Sequence, residues 1–463
     1  MRRASLLPVL GFFVAIALAG WAMALPALTG WDVHMRYFPP LHAEWDPRVG
    51  VGTLPAVVIA LLAVRHATPL AARLPWGRLL LASYAVGLGW MLSLAYVDGG
   101  DGIGKILDTS FEYMPTSRAL TDLPHALSTF VARIPYDDLP DDIPDANWPV
   151  HIAGHPPGAL VFFVSLARMG LRSGYAAGFV VTLFAASTAL AVMVTLRKLG
   201  AEQTARRAAP LLVLGPAAVW QCVSADGMFA AVAAWGIAAL ATASVAVTTR
   251  RGIGWALVSG LLLGYAVMLS YGLPLMGLLA VAVLIVARTW KPLPWAALSA
   301  LVVVGVFAAY GFYYWDALPA LHDRYWEGVA KNRPPTYWWW GNVAALAFSA
   351  GPLAFAGVFA LPSSPAHSAE TSQIALADPP RRRRFPLPED VRVVRWLTGA
   401  VVLILVAADA SQMSKGEVER IWLPFAPWLL ISAALLPEKW RTRGLAAQIV
   451  LALAIQHLLD TGW

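Results

Sequence analysis

Apolar stretches of roughly twenty residues, separated by short polar connections, recur from one end of the chain to the other, and that is the length a helix needs to cross a hydrocarbon core. They lie near 6–29, 50–65, 79–97, 175–196, 209–223, 227–249, 252–270, 271–289, 294–315, 342–361, 393–410, 421–436 and 444–460. The pattern predicts an all-α, polytopic transmembrane protein of about thirteen spanning helices. Basic residues gather at alternate connections: Arg2/Arg3, Arg65/Arg73/Arg78, Arg197/Lys198/Arg206/Arg207, Arg250/Arg251, Arg288/Lys291, Arg381 to Arg384, and Lys439/Arg441/Arg443. Placing every cluster in the cytoplasm puts the N-terminus inside and the C-terminus outside. This arrangement requires that residues 158–168 do not cross. Eleven residues are too few for a core of ~30 Å, so a short helix or re-entrant segment is expected on the outer side, opened by Pro156 and Pro157. The run after Met1-Arg2-Arg3 has the outline of a signal peptide, but a second apolar segment follows soon after and favours a retained first helix.

Composition sharpens this picture. Only 13% of the 463 residues are charged, against about 25% in soluble domains. The net charge of +7 is accounted for by the cytoplasmic basic clusters, so nucleic acid is not expected as a partner. Cys222 is the sole cysteine, which rules out an intramolecular disulfide. Abundant Ala, Val, Arg and Trp with few Lys point to a high-GC bacterial source, and a multi-pass helical protein of such a source is expected in the plasma membrane. Residues 1–78 hold the first two helices and a cytoplasmic connection, 79–436 form a core, and 437–463 hold a last helix. The core contains outer loops 98–157 and 316–341 and a Ser/Pro/Ala-rich cytoplasmic linker at 362–391.

Charge is unevenly placed. Residues 98–156 hold ten acidic and three basic side chains in a chain that is otherwise basic. Asp98 and Asp101 lie in a glycine turn beyond the third helix, where a carboxylate at the membrane boundary suits a general base toward a hydroxyl. A solvated helix-end turn would have the same sequence. Glu112, in the same loop, is a candidate for binding substrate. His151 and His155 precede a twin proline, where His155 is placed to cap the short helix and either imidazole to contact a phosphate or a sugar hydroxyl. Imidazole and carboxylate also suit Zn²⁺ or Mn²⁺. Pro149 and Pro156 disfavour a helical i,i+4 pair, however, so no metal ligand is assigned; no cofactor is required and a divalent cation stays open. Asp226, between two apolar segments, is either an N-cap, a role Ser224 fits equally, or functional, because an idle acid there is costly. Arg324, Lys331 and Arg333 in the third outer stretch, and Arg420 beside Glu419 at the start of the twelfth helix, suit substrate contact through charge-assisted bonds or interfacial anchoring.

In order and spacing these features resemble the GT-C superfamily of integral-membrane glycosyltransferases, which includes the protein O-mannosyltransferases and the lipid A aminoarabinose transferases. The resemblance spans about residues 79–436 and is carried by Asp98 and Asp101, the long outer loop, His155-Pro156-Pro157-Gly158, Asp226, and Arg420-Ile421-Trp422-Leu423-Pro424-Phe425-Ala426-Pro427. Two departures are the helices before residue 79 and an Asp-Gly-Gly-Asp in place of a tighter acidic pair. The resemblance implies a donor sugar carried on a polyprenyl phosphate that enters from membrane lipid, and a glycan, lipid or protein acceptor. Asp98 or Asp101 would deprotonate the acceptor hydroxyl for inverting attack. The alternative is a multi-pass transporter or lipid flippase, which would carry charge in mid-membrane broken helices and show matching halves. Here ionisable residues keep to helix ends, with Asp409 at the margin.

Overall fold

The computed structural model describes residues 6–35, 37–136, 147–363 and 389–462. Regular structure in these residues is helical apart from two short strands, Glu44–Trp45 and Leu459–Asp460, which pair antiparallel. Among the described residues, seven helices are long and apolar enough to cross a membrane: Leu6–Thr29, Thr53–Arg73, Trp76–Asp98, Gly174–Lys198, Ala225–Ser244, Thr249–Leu269 and Glu389–Ala410. Two bent pairs bring the count to nine if each is one span: Leu293–Ala309 with Tyr314–Glu327 at 72°, and Pro335–Ser349 with Pro352–Ala360 at 106°. Large apolar side chains such as Leu61, Leu81, Leu301 and Val406 stand exposed on these helices, as lipid-facing positions require.

Three of the other apolar stretches are not single long helices. The run at 209–223 is divided into Glu202–Val213 and Ala218–Gln221 around Gly215 and Pro216. That at 271–289 forms Leu273–Leu275 and Met276–Ala287. The run at 421–436 is folded into short turns through Pro424 and Pro427. The stretch at 444–460 belongs to Glu438–Leu458, whose first turns carry Glu438, Lys439, Arg441 and Arg443. The short helix expected after the twin prolines is present as Gly158–Arg168. Most of the 362–391 linker, including Arg381 to Arg384, lies outside the described residues.

The Ala225–Ser244 helix is the most enclosed span, with 83% of its apolar window buried. Small residues let its neighbours close in. A Cβ at Gly236 would meet Leu263, and on the neighbouring helix one at Gly260 would stand 1.9 Å from the Ala296 carbonyl oxygen. The first helix packs against Pro335–Ser349 and Pro352–Ala360, and the Tyr337 hydroxyl donates to the Ala22 carbonyl at 2.8 Å. The main hydrophobic core runs from Leu41 to Leu459, and a second, smaller cluster joins Ala22 and Val33 to Tyr337, Trp338 and Ala344. The fixed central helix therefore sets the position of Asp226 in its first turn.

Candidate functional site

Segments far apart in sequence deliver charged side chains to one place. Ser224 caps the central helix by accepting from the Gly227 amide at 2.9 Å, which leaves Asp226 available for another partner. Arg420 Nη1 donates to Asp226 Oδ2 at 2.5 Å, with the two side chains 6% and 4% exposed. Arg420 Nη2 donates to Glu417 Oε2 at 3.2 Å, and Arg333 Nη2 to Glu417 Oε1 at 3.3 Å. Arg333 also donates to the Lys415 carbonyl, which binds it to the segment that supplies Glu417.

The backbone is bent to present both carboxylates. Val223 has φ +64° and Glu417 φ +61°, a left-handed conformation that is rare for any non-glycine residue and rarest for a β-branched one. Such residues cost on the order of 1–3 kcal/mol each and persist only when their surroundings hold them. The Val223 amide donates to Thr182 Oγ1 at 2.9 Å. Gly416 has φ +86°, and a Cβ there would lie 3.0 Å from Arg333 Nη1.

The outer loop adds a second group. Glu112 Oε1 is bonded to His151 Nδ1. His155 Nδ1 lies 2.8 Å from the His151 carbonyl, which can only accept, so that nitrogen carries the proton. The Tyr113 hydroxyl is 3.0 Å from the same nitrogen, and its ring stacks on Phe163 at 4.6 Å. The His155 ring stands 5.4 Å from Phe229, in the turn after Asp226. The two groups act on each other electrostatically. Burial, then Glu112 and Asp226, raise the Tyr113 pKa. Burial lowers His155 despite the opposing charge of Asp226, and keeps the imidazole neutral. Burial alone would lower Arg420, but Asp226 and Glu417 outweigh it and raise its pKa. Burial would raise Glu417, but the guanidiniums of Arg333 and Arg420 hold its carboxyl at about 2. Burial, reinforced by Glu417, pushes Glu419 up to about 7.

Four acidic side chains thus gather at the guanidiniums of Arg333 and Arg420: Asp226 and Glu417 bond to them, and Glu112 and Glu419 lie within electrostatic reach. Glu112 Oε2 and Glu419 Oε2 are buried without a hydrogen-bond partner among the described residues. A buried acceptor left unsatisfied is costly, so the cluster suits a ligand rich in O–H or N–H donors. Trp422, two residues after Arg420, lines an apolar cavity of about 220 Å³ with Leu346, Phe355, Phe359 and Leu405. Asp409 also lines it and accepts from Asn342 Nδ2 at 2.7 Å.

No family model, curated protein or solved structure matches the chain. The likeness to GT-C glycosyltransferases therefore rests on the residues themselves, and these do not all meet. Glu112, His151, His155, Asp226, Arg333, Glu419 and Arg420 belong to the cluster. Asp98 does not: Arg48 binds both of its oxygens, and Gln456 Nε2 donates to Oδ2 at 2.8 Å, so its acceptors are already taken. Asp101 is exposed at the start of Asp101–Gly104. Arg324 is committed to the Ile134 and Trp148 carbonyls and stacks over Tyr136, and Lys331 is exposed. His155 caps no helix, because Gly158–Arg168 begins at Pro157 without a side-chain cap. No group of three or more metal-ligating side chains forms among the described residues. Glu417 and Tyr113 are the site residues that sequence reasoning passed over. Tyr113 adjoins the candidate Glu112, and Glu417 follows Gly416 and stands three residues before Arg420.

Proposed function

We propose that the chain is a membrane glycosyltransferase that moves a sugar from a polyprenyl-phosphate donor to an acceptor hydroxyl, with its centre at the Asp226–Arg420 cluster. The observation that carries this reading is the pair of buried, unpartnered carboxylate oxygens of Glu112 and Glu419 beside an excess of carboxylates. Sugar hydroxyls are the donors such acceptors need. The apolar cavity at Trp422 gives the first isoprene units a place next to the charged cluster.

On this reading His151, oriented by Glu112, takes the acceptor proton, a role that moves from Asp98 and Asp101 to the carboxylate–imidazole pair. The acceptor oxygen bonds to the anomeric carbon as the carbon–oxygen bond to phosphate breaks, with inversion, and polyprenyl phosphate departs with the electron pair. Arg333 and Arg420 offset the charge that develops on it. With thirteen crossings and the N-terminus in the cytoplasm, the short apolar helices complete the spans and the site faces outward from a bacterial plasma membrane. A transporter or flippase is the second reading. It draws on the 106° break between Pro335–Ser349 and Pro352–Ala360, beside Asp409.

The test is mass spectrometry of envelope lipids and glycans from a strain lacking the gene. The expected outcome is accumulation of a polyprenyl-phosphate sugar together with loss of a glycosylated product. A deletion strain with unchanged glycoconjugates and donor lipids would overturn the transferase reading.

A further inference from the structure

The helix Tyr314–Glu327 follows Leu293–Ala309 at a bend of 72°. It carries Asp316, Asp323, Arg324 and Glu327 within 14 residues, too much charge to lie across a hydrocarbon core at low cost. Its side chains sort into three stripes at helical spacing. Ala317 and Arg324 are buried against the protein. Trp315, Leu318, His322 and Trp326 fall at i, i+3, i+7 and i+11 on a second face, where Trp315 is 63% and Leu318 44% exposed. Asp316, Asp323 and Glu327 fall at i, i+7 and i+11 on a third. The preceding helix exposes Leu298, Leu301, Val302 and Val306, and the corner between the two exposes Tyr310 and Tyr313. An apolar band that ends in exposed aromatics marks a membrane–water boundary.

The buried side of the same helix reaches both arms of the charged cluster. Arg324 donates to the Ile134 carbonyl and, at 2.9 Å, to that of Trp148, just before the Val150–Ala153 helix that carries His151. The Tyr325 hydroxyl accepts from the Lys415 amide at 2.7 Å, two residues before Glu417. Trp326, the last residue of the second face, turns its ring back onto the protein, where the Lys415 ammonium sits 3.9 Å over it.

We propose that Tyr314–Glu327 lies in the plane of the lipid interface, with Trp315 and Leu318 among the upper acyl chains and Asp316, Asp323 and Glu327 in water, and that this seating holds the His151 and Glu417 arms together. The partner surface is the glycerol and upper acyl zone of a bilayer, because the acidic stripe disfavours anionic headgroups on its own side. The seating does not depend on the transferase reading, and neither measurement below needs turnover, so the two can fail separately.

Cys222 is the sole cysteine and is buried, so a Cys222→Ser background permits single labels. The full chain, carrying one cysteine in place of Trp315, Leu318, Asp316 or Asp323, is spin-labelled in vesicles of phosphatidylethanolamine and phosphatidylglycerol. Collisions with oxygen and with a water-soluble nickel chelate then report depth. Labels at 315 and 318 are expected about 5–10 Å below the headgroups and those at 316 and 323 in water. Four labels that meet the chelate alike, or 316 and 323 deeper than 315, would overturn the seating. Trp315→Asp combined with Leu318→Asp lifts the helix away from lipid. Amide hydrogen exchange at 147–151 and 415–417 should then rise by about tenfold, as local opening becomes easier. Unchanged exchange in both segments, in protein whose helix has moved into water, would overturn the coupling.

Discussion

The pair of Arg48 with Asp98 and the pair of Arg420 with Asp226 both join residues distant in sequence, yet their surroundings differ in kind. Arg48 and Asp98 are 16% and 25% exposed, and Gln456 completes the bonding of the carboxylate. The Arg48 amide also donates to the His457 carbonyl at 2.8 Å, next to the strand pair Glu44–Trp45 and Leu459–Asp460. This pair fastens the end of the third helix to the end of the chain. Arg420 and Asp226 are almost wholly buried, among more carboxylates than guanidiniums, with two unsatisfied oxygens nearby and strained backbone at Val223 and Glu417. A pair whose acceptors are all filled serves as a tie. Surplus buried acceptors held at the expense of backbone strain are what a binding site retains.

The largest expected difference is in stability. Arg420→Ala strands Asp226 in the interior and should cost about 3–5 kcal/mol, whereas Arg48→Ala, at a partly solvated pair, should cost about 1 kcal/mol or less. Thermal unfolding in detergent reads both, and equal losses would erase the distinction. The next effect is on pH dependence. The Glu419 carboxyl, at about 7 in the fold against an ordinary 4.5, keeps its proton after the unfolded chain has released its own. Stability should therefore fall between pH 4.5 and 7, on the order of 2–3 kcal/mol, and Glu419→Gln should flatten that slope. Glu417, held at about 2, works in the opposite direction. Its contribution is complete above pH 4.5 and is lost as pH drops toward 2, so Glu417→Gln should remove an acid-side loss visible in the same melts. Asp98→Asn keeps the shape and loses the charge, with an expected cost of about 1 kcal/mol. Asp101→Asn, at an exposed turn, should stay within about 0.5 kcal/mol of the parent.

The residues that were legible in the sequence owed it to local pattern. Gly158–Arg168 could be bounded because two prolines open it and its apolar run ends at Arg168. Asp226 and Arg420 stood out as charges beside apolar helices, where an unused ion is expensive. Asp98 looked equally conspicuous, but its partners lie 50 and 358 residues away, and no spacing reveals them. The apolar runs at 209–223 and 421–436 had enough hydrophobic length for spans, yet internal prolines and glycine divide them into shorter pieces. Glu417 was hidden because its role depends on a left-handed backbone that only the folded loop imposes.

The most direct measurement sets the two aspartates against each other in cells. Asp226→Asn and Asp98→Asn, each at parental membrane abundance, are returned to the deletion strain, and its polyprenyl-phosphate sugars are quantified by mass spectrometry. The prediction is that Asp98→Asn restores the parental lipid profile while Asp226→Asn leaves the donor accumulated. The reverse result, with Asp226→Asn active and Asp98→Asn inactive, would contradict the assignment of the centre to the Arg420 cluster.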